Sequence, residues 1–512
     1  MNSNQKLLAG LVVATAALPA LSGTAYAAYS ADSDTGIQAL DYIENNRIDE
    51  RQRRLTEEQK KLLEDAANME KHLRQPLAKD KPMPVAFEGE DLTYDQRDGS
   101  FIAKGKVDIL QMDAHRFQGE EVTGNTERQE IDIPGKAHIL QMTPGQMRIT
   151  LDGYKAHYNY GTKTGTIDDV RGKADAHYIT GKRFEFYPDH IVVYDGTQTK
   201  CGAKSPDYHL QAKKITMYPN DKIVLEDVSF WLKKIKLYSR KRYVVDISPG
   251  SDKAKYPYPR VGYNTDDKLT FSWDLSFPVA SNVAVNTNIY VTGADGWRGN
   301  YDVTWKNKKM ATGVTYGYFE DSDNRWIRKQ PAVFWRYGDH IGDSHFTYKL
   351  YTEYGRWYGK GIHSNHSYYS ATLGYDPIKF SRYTLYLSLG YNITRESYDN
   401  SRVAGIKADA VLTKDFDERW AAYAGYHYSR KDAASSLFNF GTDDYRRKLE
   451  GGFSYRVDEK NRLAVGTKYD LDHGKWKNID YYWYHDMHCA ESIVRYKSLH
   501  NQISIRFQFT PW

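Results

Sequence analysis

The chain has 512 residues, 27% of them charged, and a formal net charge of +5, a length that allows about three domains. A mean hydropathy of −0.73, with no apolar run of about 18 residues beyond the N-terminal leader, excludes a helical membrane bundle. The small net charge makes no case for a nucleic-acid partner, and two cysteines 288 positions apart, Cys201 and Cys489, cannot build a tight metal motif or a CxxC pair.

Residues 1–27 read as a secretory signal peptide. Lys6 supplies the positive charge, Leu7 to Leu21 the apolar core, and Ala25-Tyr26-Ala27 the small-x-small cleavage site, with Ala25 and Ala27 as its recognition residues. Residues 28–83 form a charged, partly helical linker. Thr56-Glu57-Glu58-Gln59 has capping-box spacing, and Leu62, Ala66, Met69 and Leu73 follow along one helical face until Pro76, as in a helical spacer.

Residues 84–250 change to a period of two and repeat internally. Gly105-Lys106-Val107-Asp108-Ile109-Leu110-Gln111-Met112 returns 30 residues later as Gly135-Lys136-Ala137-His138-Ile139-Leu140-Gln141-Met142, with a weaker echo at Gly172-Lys173-Ala174. Short strands repeated at a fixed period predict a stacked β structure in which each repeat covers its neighbour's apolar face, here a β-jellyroll with an apolar interior.

Residues 251–512 predict an antiparallel transmembrane β-barrel of about 16 strands. In Tyr383–Thr394 the residues Tyr383, Leu385, Leu387, Leu389, Tyr391 and Ile393 share one parity, and polar or small side chains fill most of the other. The same beat recurs at Val283–Val291, at Trp420–Tyr428 and at Ile503, Ile505, Phe507 and Phe509. This half holds 29 of the 43 tyrosines and ten of the 11 tryptophans. Trp297, Trp305, Trp326, Trp335, Trp357 and Trp476 stand near strand ends, as aromatic girdles at the two membrane interfaces require. In a closed barrel the first and last strands meet, so Pro259–Asn264 should lie beside Gln502–Phe509. Pro257, Pro259 and Pro278 stand near that seam, where a residue without an N–H weakens the ladder.

Cys201-Gly202-Ala203-Lys204-Ser205-Pro206-Asp207-Tyr208-His209-Leu210, followed by Asp227-Val228-Ser229-Phe230, resembles the end of the periplasmic domain of the lipopolysaccharide-assembly LptD (OstA) family. The order of parts agrees: signal peptide, OstA-type repeats, Cys-containing stretch, Pro-containing entry to a barrel, and a late cysteine in His488-Cys489-Ala490. The chain departs from the family in its short barrel and single pair of cysteines. The resemblance implies an outer-membrane translocon, with its N-terminal domain in the periplasm, that inserts lipopolysaccharide into the outer leaflet through a lateral seam. That seam comprises Pro257, Pro259, Pro278, Ile503, Ile505, Phe507 and Phe509. The implied partners are lipopolysaccharide, the outer-membrane bilayer, an LptA-like periplasmic bridge, an LptE-like lipoprotein plug and the barrel-assembly machinery. Cys201 and Cys489 fit one disulfide aligning domain and barrel, or two unpaired thiols.

Enzymatic chemistry is not expected, nor a cofactor or metal. His363, Ser364, His366 and Ser367 read as a polar rim rather than a hydrolytic triad. His485, Asp486 and His488 lack a further ligand at metal spacing. A porin-like diffusion channel with an accessory β domain is the alternative, and an outer-membrane acyl hydrolase is a third reading.

Overall fold

The computed structural model describes residues 35–71, 84–203, 205–247, 258–320, 326–430 and 445–509. Two α-helices, α1 (Thr35–Arg53) and α2 (Glu57–Lys71), precede a chain of β-strands interrupted by a single 3-10 turn at Ser498–His500 among the described residues. The chain divides into two compact units, one built around a twelve-stranded sheet and one around a closed barrel.

The sheet is an antiparallel meander. From Ser100–Gln111 to Ile235–Asp246 each strand pairs with the next, and two short strands, Val85–Glu88 and Asp91–Tyr94, cover the first. Most of the long strands are broken midway by a register shift, between Lys104 and Val107, Gly119 and Thr123, Ile133 and Lys136, and Tyr154 and His157. Residues at such positions take positive φ, as at Gly105, Lys106, Lys155, Asp169, Asp195 and Asp227. A bulge inserts an unpaired residue and bends its strand, so bulges in register across neighbouring strands make a fold line. The sheet closes along this line over its apolar face, burying Phe101 and Ala103 on one side of the bend and Val107 and Ile109 on the other. The 30-residue repeat is therefore two strands long, with Gly-Lys marking the bend in each copy.

The interior is packed with its own side chains. Phe117, Ile131, Ile139, Leu151, Phe184 and Phe230 are fully buried, and the Phe117 and Tyr158 rings lie 4.7 Å apart. Helix α2 lies on the opposite face. Gln59 N donates to Thr56 Oγ1 at 3.2 Å and Thr56 N to Gln59 Oε1 at 3.1 Å, a complete capping box. Leu62 and Ala66 then pack on Ala114 and Leu140, while Asp65 accepts from Arg116 at 2.6 Å. The helix is thus docked on the sheet, where the sequence suggested a spacer.

The barrel has 16 strands, joined antiparallel from Arg260–Asn264 to Gln502–Phe509, with the two-residue strand Gly296–Trp297 as an extra branch. Its outer face is apolar: Leu269, Val303, Val333, Leu389, Trp483 and Phe507 all point outward and are 44–63% exposed, apart from the barrel's own contacts. Opposite-parity residues turn inward, so that in Trp420–Ser429 the exposed Trp420 and Tyr426 alternate with buried Ala421, Tyr423, His427 and Ser429. A closed, lipid-facing cylinder satisfies every backbone group without an edge and is the outer-membrane type of membrane protein. Trp357 departs from the expected girdle. It shares the inward parity of Glu353, is 3% exposed, and stacks on His366 at 3.4 Å between centroids.

Candidate functional site: seam and lumen

The barrel closes where Val261, Gly262, Tyr263 and Asn264 of the first strand face Phe507, Arg506, Ile505 and Ser504 of the last. These four paired positions contrast with fourteen between Phe346–Gly359 and Ile362–Phe380. The first strand is itself five residues long, and its ladder with the thirteen-residue second strand, Lys268–Ala280, runs only from Lys268 to Ser272. At the loop end the seam is reinforced: Thr265 N donates to Ile503 O at 3.1 Å, and Gln502 Nε2 to Asp266 Oδ2 at 2.6 Å. Toward the other end the ladder stops at Val261–Phe507, with Pro259 ahead of the first strand; Pro278, expected at the seam, lies instead in the ladder of the second strand with the third, next to a register shift at Pro278–Ala280. Tyr258 and Phe509 meet at the foot of the seam, their rings 5.4 Å apart. Ile503 and Phe507 face outward, and Arg506 lies between the lipid-facing positions on the inward side. Pro257, Ala25 and Ala27 lie outside the described residues.

Inside the seam the wall is polar. Asp274 accepts from Arg260 Nη2 at 2.5 Å and from Asn288 Nδ2 at 2.6 Å, and Asp302 accepts from Asn286 Nδ2 at 2.7 Å and Thr304 Oγ1 at 2.6 Å. Further round the lumen, opposite charges pair: Lys329 with Glu353 at 2.6 Å and Arg495 with Asp480 at 2.5 Å across neighbouring strands, and Lys448 with Glu450 at 2.5 Å along one strand. His366 bonds Glu396 at 2.5 Å and His427 bonds Asp409 at 2.7 Å. Pairing of this kind is how a wall of ionisable groups is tolerated at membrane depth.

The lumen also holds a helix. Residues 35–47 of α1 belong to the barrel's compact unit, and Ile37 and Leu40 pack on Ala421, Tyr423, Ala464, Tyr482, Tyr484 and Ile493, all inward-facing. A Cβ on Gly466 would come within 3.0 Å of Ile37 Cδ1, so the small residue makes room for the helix. Asp41 accepts from Arg462 Nη2 at 2.5 Å, Glu44 pairs with Arg456, and Arg47 pairs with Asp415 and donates to the carbonyls of Asp417 at 2.5 Å and Trp420 at 2.8 Å. The Arg462 guanidinium lies 3.6 Å from the Tyr484 ring centroid. The partners descend from mid-strand at Gly466 to the turns at Asp415–Trp420 and Arg456–Asn461, so α1 runs from inside the barrel to the rim with short turns.

The remaining candidate residues take separate places. Ser364 and His366 face the lumen, and Ser364 Oγ accepts from Ser397 N at 3.0 Å. His363 is exposed on the other face, its ring 4.6 Å from that of Tyr358, so alternation splits the four-residue run. His485 Nδ1 bonds Asn461 at 2.9 Å, and Asp486 caps His488 N at 2.8 Å. Among the described residues no cluster of three metal-ligating side chains is present. Cys201 and Cys489, the two cysteines of the chain, are both buried and both disulfide-bonded.

No family model and no curated protein matches this chain. Solved structures similar to it, at low identity, include outer-membrane proteins. A loop-deletion variant of OmpT, an outer-membrane protein of Vibrio cholerae, is 12% identical over 48% of this chain and 94% of its own, with a TM-score of 0.28. The outer-membrane channel DcaP of Acinetobacter baumannii is 12% identical over 49% and 94%, with a TM-score of 0.31. The copper transporter OprC is 10% identical over 84% and 80%, with a TM-score of 0.24. Scores this low carry no argument, and the barrel assignment rests on the closed ladder and its apolar exterior.

Proposed function

We propose that this outer-membrane barrel protein is a lipopolysaccharide translocon, taking its cargo from an LptA-like periplasmic bridge and releasing it into the outer leaflet through the seam. The observation that carries this reading is the four-position ladder between first and last strands, set against fourteen between Phe346–Gly359 and Ile362–Phe380 and five between the first and second strands. A seam of only four positions is suited to part sideways, and a lipid with several acyl chains needs such a sideways exit. The folded-over sheet supplies an apolar face for those chains, each methylene shielded from water being worth about 0.8 kcal/mol. Because the interior is close-packed, chains enter by parting its two arms rather than by filling an empty channel.

The rim carrying the short turns Asp415–Trp420 and Arg456–Asn461 is placed on the periplasmic side, where bacterial barrels keep their tight turns. No covalent step is involved. Depleting the protein and measuring lipopolysaccharide at the cell surface tests the proposal: surface lipopolysaccharide should fall while its synthesis continues. Unchanged surface lipopolysaccharide with altered uptake of small solutes would instead establish a porin-like channel.

A further inference from the structure

We infer that α1 is a plug carried by the barrel's own chain, sealing the periplasmic half of the lumen in place of a second polypeptide. A barrel of 16 strands without an insert encloses an aqueous channel. A helix with its side chains is about 10–12 Å across, and residues 35–47 run about 20 Å, comparable to the roughly 25 Å apolar band of such barrels. One face of the helix is buried against the wall: Ile37, Leu40, Glu44 and Arg47 are all less than 9% exposed, while Gln38 and Asn45 on the other side are exposed.

Its contacts are of two kinds. Near its inner end Ile37 and Leu40 sit on an aromatic and alanine wall, against the gap left by Gly466. Toward the rim, acidic Asp41 and Glu44 meet basic Arg462 and Arg456, and basic Arg47 meets acidic Asp415. The wall and helix are therefore complementary in charge position by position, which fixes both register and direction. Ion pairs facing an aqueous lumen exchange with water more readily than apolar contacts, so the rim half of the plug is the part that yields first. Every contact is made by one chain, so a lipoprotein plug has no need to occupy this half of the lumen.

The test is ionic conductance of the full-length protein, reconstituted alone in planar bilayers without lipopolysaccharide. Wild type should conduct little. Deleting residues 35–47 should raise conductance at least fivefold while the barrel stays folded, judged by its heat-modifiable gel mobility. Folded deletion protein with wild-type conductance overturns the inference. Because a deletion can prevent assembly, charge exchange provides an independent reading: Asp41→Arg alone, which leaves the wall intact, should raise open time at least threefold. The pair Asp41→Arg with Arg462→Asp should return it to the wild-type level. Open time unchanged in the single variant, or not restored in the pair, overturns the inference as well. Since no lipopolysaccharide is present, the plug can fail this test while the translocon proposal stands, and the converse also holds.

Discussion

Locking the seam is the most direct challenge to the translocon proposal. Val261 and Phe507 are direct cross-strand partners and both point outward. Opposed Cα atoms in antiparallel strands lie about 4.5–5.5 Å apart, inside the roughly 4.4–6.8 Å window a disulfide needs. At about 1 kcal/mol net per hydrogen bond, four paired positions resist parting by about 4 kcal/mol, whereas the fourteen of the Phe346–Gly359 ladder resist by about 14. The ladder of the first strand with the second has five positions and is about 1 kcal/mol stronger than the seam, so the short first strand is the weak element of the wall, with the seam its weaker side. Val261→Cys with Phe507→Cys should therefore abolish an opening that the native ladder permits. In cells where the cross-link forms, newly delivered surface lipopolysaccharide should fall at least tenfold and recover on reduction. Each single variant, with and without reductant, controls for the native cysteines. Full cross-linking on a non-reducing gel together with undiminished delivery would refute the reasoning.

Further expectations concern the sheet. Burial pushes His115 and His177 down to about 3 from an ordinary 6.5, so below pH 6.5 the unfolded chain binds protons that the folded sheet refuses. Stability is then constant above about pH 6.5 and declines as pH falls toward 3, by about 2 kcal/mol per histidine at pH 5. Hydrogen exchange of the sheet in detergent-held full-length protein should show this slope, and His115→Gln with His177→Gln should flatten it. Phe117→Ala removes a fully buried ring in contact with His115 and Tyr158 and should cost about 3–5 kcal/mol in the same measurement.

The alternation in Tyr383–Thr394 makes the strands legible, because a strand leaves no choice of face once one parity is apolar, and the concentration of Tyr and Trp in the same half is what separates a membrane barrel from a soluble sandwich. Closure then dictates that Arg260–Asn264 meets Gln502–Phe509, and the register Val261–Phe507 follows that logic. The capping box at Thr56 was equally readable, since both of its bonds lie within four residues. The packing of α1 was not. Asp41, Glu44 and Arg47 look like a solvated helical face until Arg462, Arg456 and Asp415, between 368 and 421 positions away, are brought beside them. Nearness to a strand end gives Trp357 the look of a girdle residue, but parity sets the face of Trp357. Its match with Glu353, four residues earlier, is the signal that would have turned it inward. The break in each sheet strand was visible only as Gly-Lys in the repeat, since at Asp169, Asp195 and Asp227 nothing but backbone geometry marks it.

The helix in the lumen also bears on biogenesis. It precedes its anchors by 368 to 421 positions, so none of its native partners exists when it is made. A cylinder already zipped shut would admit it only through a rim. The simpler order has the late strands curl around a waiting helix, so that the insert acts as a mandrel and the final zipping of Val261 to Phe507 traps it.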